Sequence, residues 1–283
     1  MKITYRSPGS ITLFFYPSGQ RKNILSYGSY GIGLVINKFV YSQIENSTNT
    51  EITINGKEYN NTIQEKILDQ LKLKARIDVK TDIDISQGFG TSAAGAISTA
   101  FALNRLFNLK MTYYEISSIA HRAEILNKSG LGDVASIITG GFTIRLKPGI
   151  PPYGLIDTLE DGINEFVYLI LNRPIETKKV LQDKNKIKII KKYGKIAMTE
   201  FLKEKTIENA FKISLWFSKN VGILDNELND IINIAKDYGN VTQIMIGNSL
   251  IAYGENNKIE KLFEKYGKTG RIKIIQCGIS RIY

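Results

Sequence analysis

Gly88, Gly90, Thr91 and Ser92 sit close together in the stretch QGFGTSAAGAISTAFALN, residues 87–104, and their types and spacing point to chemistry. Glycines let a backbone approach a ligand closely and take up positive φ. Beyond them Ala96, Ile97, Ala100, Phe101 and Leu103 recur at helical spacing, so the loop runs straight into a helix. The first amides of a helix have no partner inside it, and the helix dipole favours an anion there. Hydroxyls at that point can bond a phosphate or a hydrated magnesium ion. The stretch therefore predicts a triphosphate cradle made of Gly88, Phe89, Gly90, Thr91, Ser92, Ala93 and Ala94. The plainer reading is a tight turn closed by a Ser or Thr cap. No lysine follows the hydroxyls as in a Walker A loop, and the glycines are out of register for a dinucleotide fingerprint.

The elements that must position this loop follow from pattern. Residues 2–15 alternate as a strand interrupted at Ser7-Pro8-Gly9. The run SYGSYGIG, residues 26–33, is a glycine-rich turn feeding an apolar stretch. Strands are expected at 51–54 and 75–79, with a helix over 60–73 that puts Ile63, Ile67 and Leu71 on one face. A second helix spans Tyr113–Asn127, with Thr112 as N-cap and Glu115 as its capping-box partner. His121 and Glu124 are three residues apart on it and project from one side. The turn SGLG ends it, Asp133 opens a short apolar segment, and Gly140-Gly141 leads into a strand carrying Arg145. Taken singly, these residues have ordinary readings. Asp133 would be a helix cap, Glu124 a solvated residue, His121 a packed histidine and Arg145 the partner of a surface acid.

A Pro-, Gly- and charge-containing stretch at 151–161 suggests a domain boundary, dividing the chain into 1–155 and 156–283. The second part interleaves strands at 166–171, 241–246, 250–253 and 271–277 with helices at 177–205, 206–220, 225–238 and 258–266. That interleaving reads as α+β. One cysteine in 283 residues excludes a disulfide framework, and no apolar run approaches membrane-spanning length, so a cytoplasmic protein is expected. The net charge of +11 would draw in anions. A nucleic-acid binder is the competing class, but no basic stripe interleaved with aromatics is present. The lysine-dense run at 184–195 is interrupted by Ile187, Ile189, Ile190 and Tyr193, as in a solvated helix face.

GFGTSAAGA resembles the central phosphate-loop motif of the GHMP small-molecule kinases, usually GLGSSAA. SPGSITLFF, residues 7–15, resembles their first motif, although several relatives carry a cation where Ser10 stands here. GLGDVASIITGG resembles their segment in which an Asp follows a glycine turn, and IGNSLIAYG is a reduced form of their third motif. The resemblance implies an α+β two-domain fold, with a ribosomal-protein-like N-terminal domain and a ferredoxin-like C-terminal domain. It also implies ATP and magnesium. Asp133 would be general base, Glu124 and Ser92 magnesium ligands, and all three catalytic. Within the family, RLKPGIPP, residues 145–152, resembles the branch acting on pantoate. That branch implies a carboxylate-bearing acceptor held by Arg145, with His121, Ser29 and Thr177 beside it. Arginine suits a carboxylate because its planar fork binds it bidentately. Other acceptors (homoserine, mevalonate, a sugar) stay open, as does a homodimer. No nucleic acid or membrane partner is expected.

Overall fold

The computed structural model describes residues 1–19, 22–160, 162–163, 165–171, 173 and 177–282. The fold is mixed α+β and is built on two sheets. The first begins with two long antiparallel strands, β1 (Lys2–Pro17) and β2 (Ser29–Asn46), separated by a 3-10 turn at Ile24–Ser26. The expected interruption at Ser7-Pro8-Gly9 is absent. Pairing runs through it, with a register shift between Pro8 and Gly9. Pro and Gly are tolerated in a strand at such bulges, and bulges re-aim the side chains beside them. Here those neighbours are Ser10 and Thr12.

The chain continues through β3 (Glu51–Ile54), β4 (Lys57–Glu58), α1 (Ile63–Leu71) and β5 (Ala75–Thr81). Helix α1 is shorter than its apolar pattern. Thr62 caps it by accepting from the Glu65 amide, and Lys72 ends it in the left-handed conformation. Next come α2 (Thr91–Leu106), α3 (Tyr113–Asn127), α4 (Asp133–Thr139), β6 (Phe142–Lys147) and β7 (Leu155–Leu159). The expected capping box of α3 forms in full between Thr112 and Glu115.

The remaining elements are β8 (Glu165–Ile170), α5 (Thr177–Gln182), α6 (Lys184–Lys203), α7 (Ile207–Val221), α8 (Asn226–Ala235), β9 (Gly239–Gln243), β10 (Ser249–Gly254), α9 (Asn256–Phe263), β11 (Lys268–Lys273) and β12 (Ser280–Ile282). The single helix expected at 177–205 is therefore two. Asp183 breaks it, because its carboxylate accepts from the Asn185 and Lys186 amides and so caps α6.

The first sheet has the order β12-β1-β2-β5-β3-β4, with β6 also on β2 and β7 on β6; the second is β11-β8-β10-β9. Helix α2 lies against β1 and β2, and ten of its residues are buried, among them Ala93, Ala94, Ile97 and Leu103. A second core region joins the two sheets, with Phe14, Leu34 and Phe142 from the first packed with Phe166, Phe201 and Phe217. None of the described helices is long and apolar enough to cross a membrane.

Candidate active site

The loop before α2 is held from below. Phe89 is 2% exposed, its ring meets Tyr168 edge-on at 5.5 Å, and its carbonyl accepts from the Ser10 amide at 3.1 Å. Burying such a ring contributes about 1.5–3 kcal/mol, so Phe89 serves as an anchor and offers a ligand nothing but backbone. Gly88 and Gly90 on either side have φ of +88° and +63°. A Cβ on Gly90 would lie 2.8–3.0 Å from Ser10, so the loop and β1 meet backbone to backbone.

Gly90 is the N-cap of α2, and no side chain caps that end. The tight turn with a hydroxyl cap is therefore not what forms. The first helical bond runs from the Ala94 amide to the Gly90 carbonyl at 3.0 Å, leaving the amides of Thr91, Ser92 and Ala93 ahead of it. Thr91 and Ser92 line the cleft, whereas the Ala93 and Ala94 side chains are buried in the core. Of the residues expected in the cradle, Ala94 thus contributes packing and no free amide.

The cleft has a volume of about 400 Å³. It is lined by Ile54, Tyr59 and Thr62, by Gly88 to Ser92, and by Gly130 to Asp133 with Arg145. Asp133 Oδ1 accepts from Ser10 Oγ at 2.6 Å and, more weakly, from Thr12 Oγ1 at 3.4 Å. A Cβ on Gly130 would collide with Glu124 Oε1 and sit 3.2 Å from Asp133 Oδ2. The two carboxylates therefore converge on one point, across a glycine. Asp133 lines the cleft. Glu124 is 1% exposed and lies one layer behind the cleft wall. Burial pushes the Glu124 carboxyl well above the usual range, and Asp133 adds to this; the Val134 amide and Arg145 oppose it.

Glu124 Oε2 is buried with no hydrogen-bond partner. An orphaned oxygen there, Asp133 beside it and the Ser92 hydroxyl in the cleft form a hard-oxygen set of the kind magnesium takes. Among the described residues no group of three or more His, Cys, Asp or Glu side chains could hold a metal ion. A divalent cation would then rest largely on phosphate oxygens and water, as magnesium does. The residues fit the ion on those terms.

Arg145 is 2% exposed and enters from β6. Its Nη1 donates to Ser136 Oγ at 2.7 Å, Nη2 reaches Thr12 Oγ1 only at 3.5 Å, and Nε has no partner. Burial lowers its pKa, while Asp133 and Glu124 raise it. A Cβ on Gly132 would lie 2.6 Å from Ser29 Oγ and 2.7 Å from Arg145 Nε, so those two groups also meet across a glycine. His121 is fully buried, and burial depresses its pKa to about 4. Its neutral ring donates from Nε2 to the Tyr27 carbonyl at 2.9 Å, which leaves Nδ1 as an acceptor without a partner.

Asp133, Glu124, Arg145, Ser29, Ser92 and the loop glycines thus gather around one cleft. The side chain of Thr177 lies outside the described residues. Reading the sequence missed Ser10 and Thr12 as partners of Asp133, and Ser136 and Thr143 as supports of Arg145. The alternation of SITLF offered one clue, since it puts Ser10 and Thr12 on a single strand face amid apolar neighbours.

Residues 58–141 match the family model for the GHMP kinases N terminal domain. Together with the full-length similarities below, this shows that the chain belongs to the GHMP kinase superfamily, whose kinases use ATP with magnesium. Within that class it is similar to the pantoate kinase of Methanocaldococcus jannaschii, at 31% identity over 90% of this chain and 93% of the relative. The pantoate kinase of Thermococcus kodakarensis is 32% identical over 90% and 88%. Among solved structures, a phosphotransferase related to the CoA biosynthesis pathway superposes with a TM-score of 0.85 at 28% identity, covering 100% of this chain and 99% of that one. A mevalonate kinase at 19% identity and TM-score 0.66, covering 96% and 99%, shares the fold.

Proposed function

We propose that this chain is a pantoate kinase, moving the γ-phosphoryl group of ATP to the 4-hydroxyl of pantoate. The product, 4-phosphopantoate, would feed coenzyme A synthesis of the archaeal type. The observation that carries this reading is the buried cation Arg145, which lines the same cleft as Asp133 and the open N-terminus of α2. A carboxylate on Arg145 leaves the rest of a small hydroxy acid between that anchor and the aspartate. Full-length similarity to two pantoate kinases supports the same acceptor.

The tasks divide among these residues, with Ser92 and Asp133 each serving two. Amides 91–93 and the Thr91 and Ser92 hydroxyls hold the phosphate tail. Magnesium, when bound, would offset the charge of the phosphate oxygens. Ser92 and Asp133, with Glu124 behind, are the groups that would hold it. Ser10 fixes Asp133 through Oδ1, which leaves Oδ2 to receive the acceptor's hydroxyl proton. Arg145 and Ser29 take the carboxylate. His121, fully buried and not among the cleft-lining residues, holds the Tyr27 carbonyl through Nε2 and keeps Nδ1 without a partner.

Incubation with Mg-ATP and pantoate should give a phosphorylated product by mass. A panel with homoserine, mevalonate and sugars in an ADP-release assay tests the alternatives. Faster turnover of any of these than of pantoate overturns the acceptor assignment.

A further inference from the structure

Neutral hydroxyls set the plane of the Arg145 guanidinium. Nη1 lies 2.7 Å from Ser136 Oγ, which lies 2.9 Å from Thr143 Oγ1, which lies 3.1 Å from the Gly33 carbonyl. A guanidinium only donates and a carbonyl only accepts. Nη1–H points to Ser136 Oγ, which also accepts from the Thr143 hydroxyl, and that hydroxyl has the Gly33 carbonyl as its second acceptor in reach. Ser136 and Thr143 are fully buried, so water does not compete for either hydroxyl.

The relay is also confined sterically. A Cβ on Gly33 would lie 2.9 Å from Nη1, 3.0 Å from Thr143 Oγ1 and 3.1 Å from Ser136 Oγ. All three atoms thus pack on the bare backbone of β2. The other tie to the guanidinium, Nη2 to Thr12, is 3.5 Å long and weak by comparison. No acid forms an ion pair with Arg145 among the described residues, so its remaining donors are kept for a ligand.

We propose that Ser136 and Thr143 are positioning residues for the acceptor: their relay locks Arg145 against β2 so that its free N–H groups meet the acceptor's carboxylate in one orientation. This rests on the reading of Arg145 as the carboxylate anchor, and it adds two residues that touch neither substrate nor ATP. The planar fork of an arginine discriminates only when its plane is fixed.

Thr143→Val removes the hydroxyl at nearly constant volume, and Thr143→Ser keeps it. The valine variant should raise the acceptor KM about three- to tenfold, the usual effect of losing a neutral buried hydrogen bond. Its ATP KM and kcat should stay within about twofold, and the serine variant should recover the acceptor KM. An unchanged acceptor KM in Thr143→Val, or no recovery in Thr143→Ser, overturns the proposal. Ser136→Ala repeats the test if the valine variant does not fold. A second measurement needs no acceptor: the guanidinium nitrogen resonances of Arg145, assigned by their loss in Arg145→Lys. They should be separate in the wild type and in Thr143→Ser, and averaged in Thr143→Val by free rotation of the group. Averaged signals in the wild type would sink the relay. A wild type with separate signals that leaves pantoate unphosphorylated would sink the acceptor assignment alone.

Discussion

Glu124 and Asp133 are both carboxylates, yet their surroundings give them different work. Asp133 faces the cleft and is steered by Ser10, whereas Glu124 is sealed behind Gly130. A carboxyl whose pKa is raised by folding stabilises the fold at low pH and loses that contribution as pH rises through the folded value. Glu124→Gln keeps the shape without the charge. It should raise the Tm of the ligand-free protein by a margin that widens from about pH 5 upward, while reducing kcat about a hundredfold or more. A margin that is flat with pH would contradict the burial penalty assigned to Glu124. His121 has the opposite sign. Its folded pKa of about 4 lies below the ordinary 6.5, so stability falls as pH drops from 6.5 towards 4. His121→Gln should flatten that acid slope in urea titrations. On the proposed reading of Arg145 as carboxylate anchor, Arg145→Ala should raise the acceptor KM far more than the ATP KM. Equal rises in both would remove it as carboxylate anchor.

At the scale of elements, the cleft depends on the turn that delivers α2. Gly90 combines a φ of +63° with backbone contact to Ser10. Gly90→Ala is strained on both counts, so the loop must lift from β1. The expected result is an ATP KM raised about tenfold or more, with a lower Tm; an alanine variant with wild-type ATP affinity would show that the loop does not hold the phosphates. This loop was legible in the sequence because its information is local: glycine, hydroxyl and apolar period lie within one turn of each other. The capping box of α3 was legible for the same reason. The break between α5 and α6 was not, because Asp183 sits in an apolar pattern that spans both helices. Ser10 and Asp133 are separated by 123 residues, and no local pattern pairs them. They meet because α4 packs against β1. Hydrogen-bond partners brought together by long-range strand pairing are what a single sequence hides.

At the scale of the whole molecule, the division at 155/156 falls inside β7 of the first sheet, β12 returns to that sheet from the second part, and the two sheets share one core. Phe14 and Phe142 of the first sheet touch Phe201 of α6, and Phe14 and Phe15 also touch Phe217 of α7. Buried Ser214 on α7 donates to the Leu13 carbonyl at 2.7 Å, and the Met245 amide donates to the Thr12 carbonyl at 2.9 Å. Strand β12, from the end of the chain, closes the free edge of β1. Cutting at 155/156 would expose these aromatics and leave the Leu13 and Thr12 carbonyls without their donors, and an unpaired buried polar group costs about 1–3 kcal/mol. Net stability for a domain is only about 5–15 kcal/mol, so neither half has that much to lose. We therefore propose two domains by architecture and one by cooperativity. Trp216 is the sole tryptophan and sits on α7, so its fluorescence reports the second half, while amide exchange in α2 reports the first. Both should give the same urea midpoint, and a fragment of residues 1–155 should show no cooperative melt. Separate midpoints, or a fragment that melts sharply by itself, would mean that the halves fold independently and that the shared core is a docking contact.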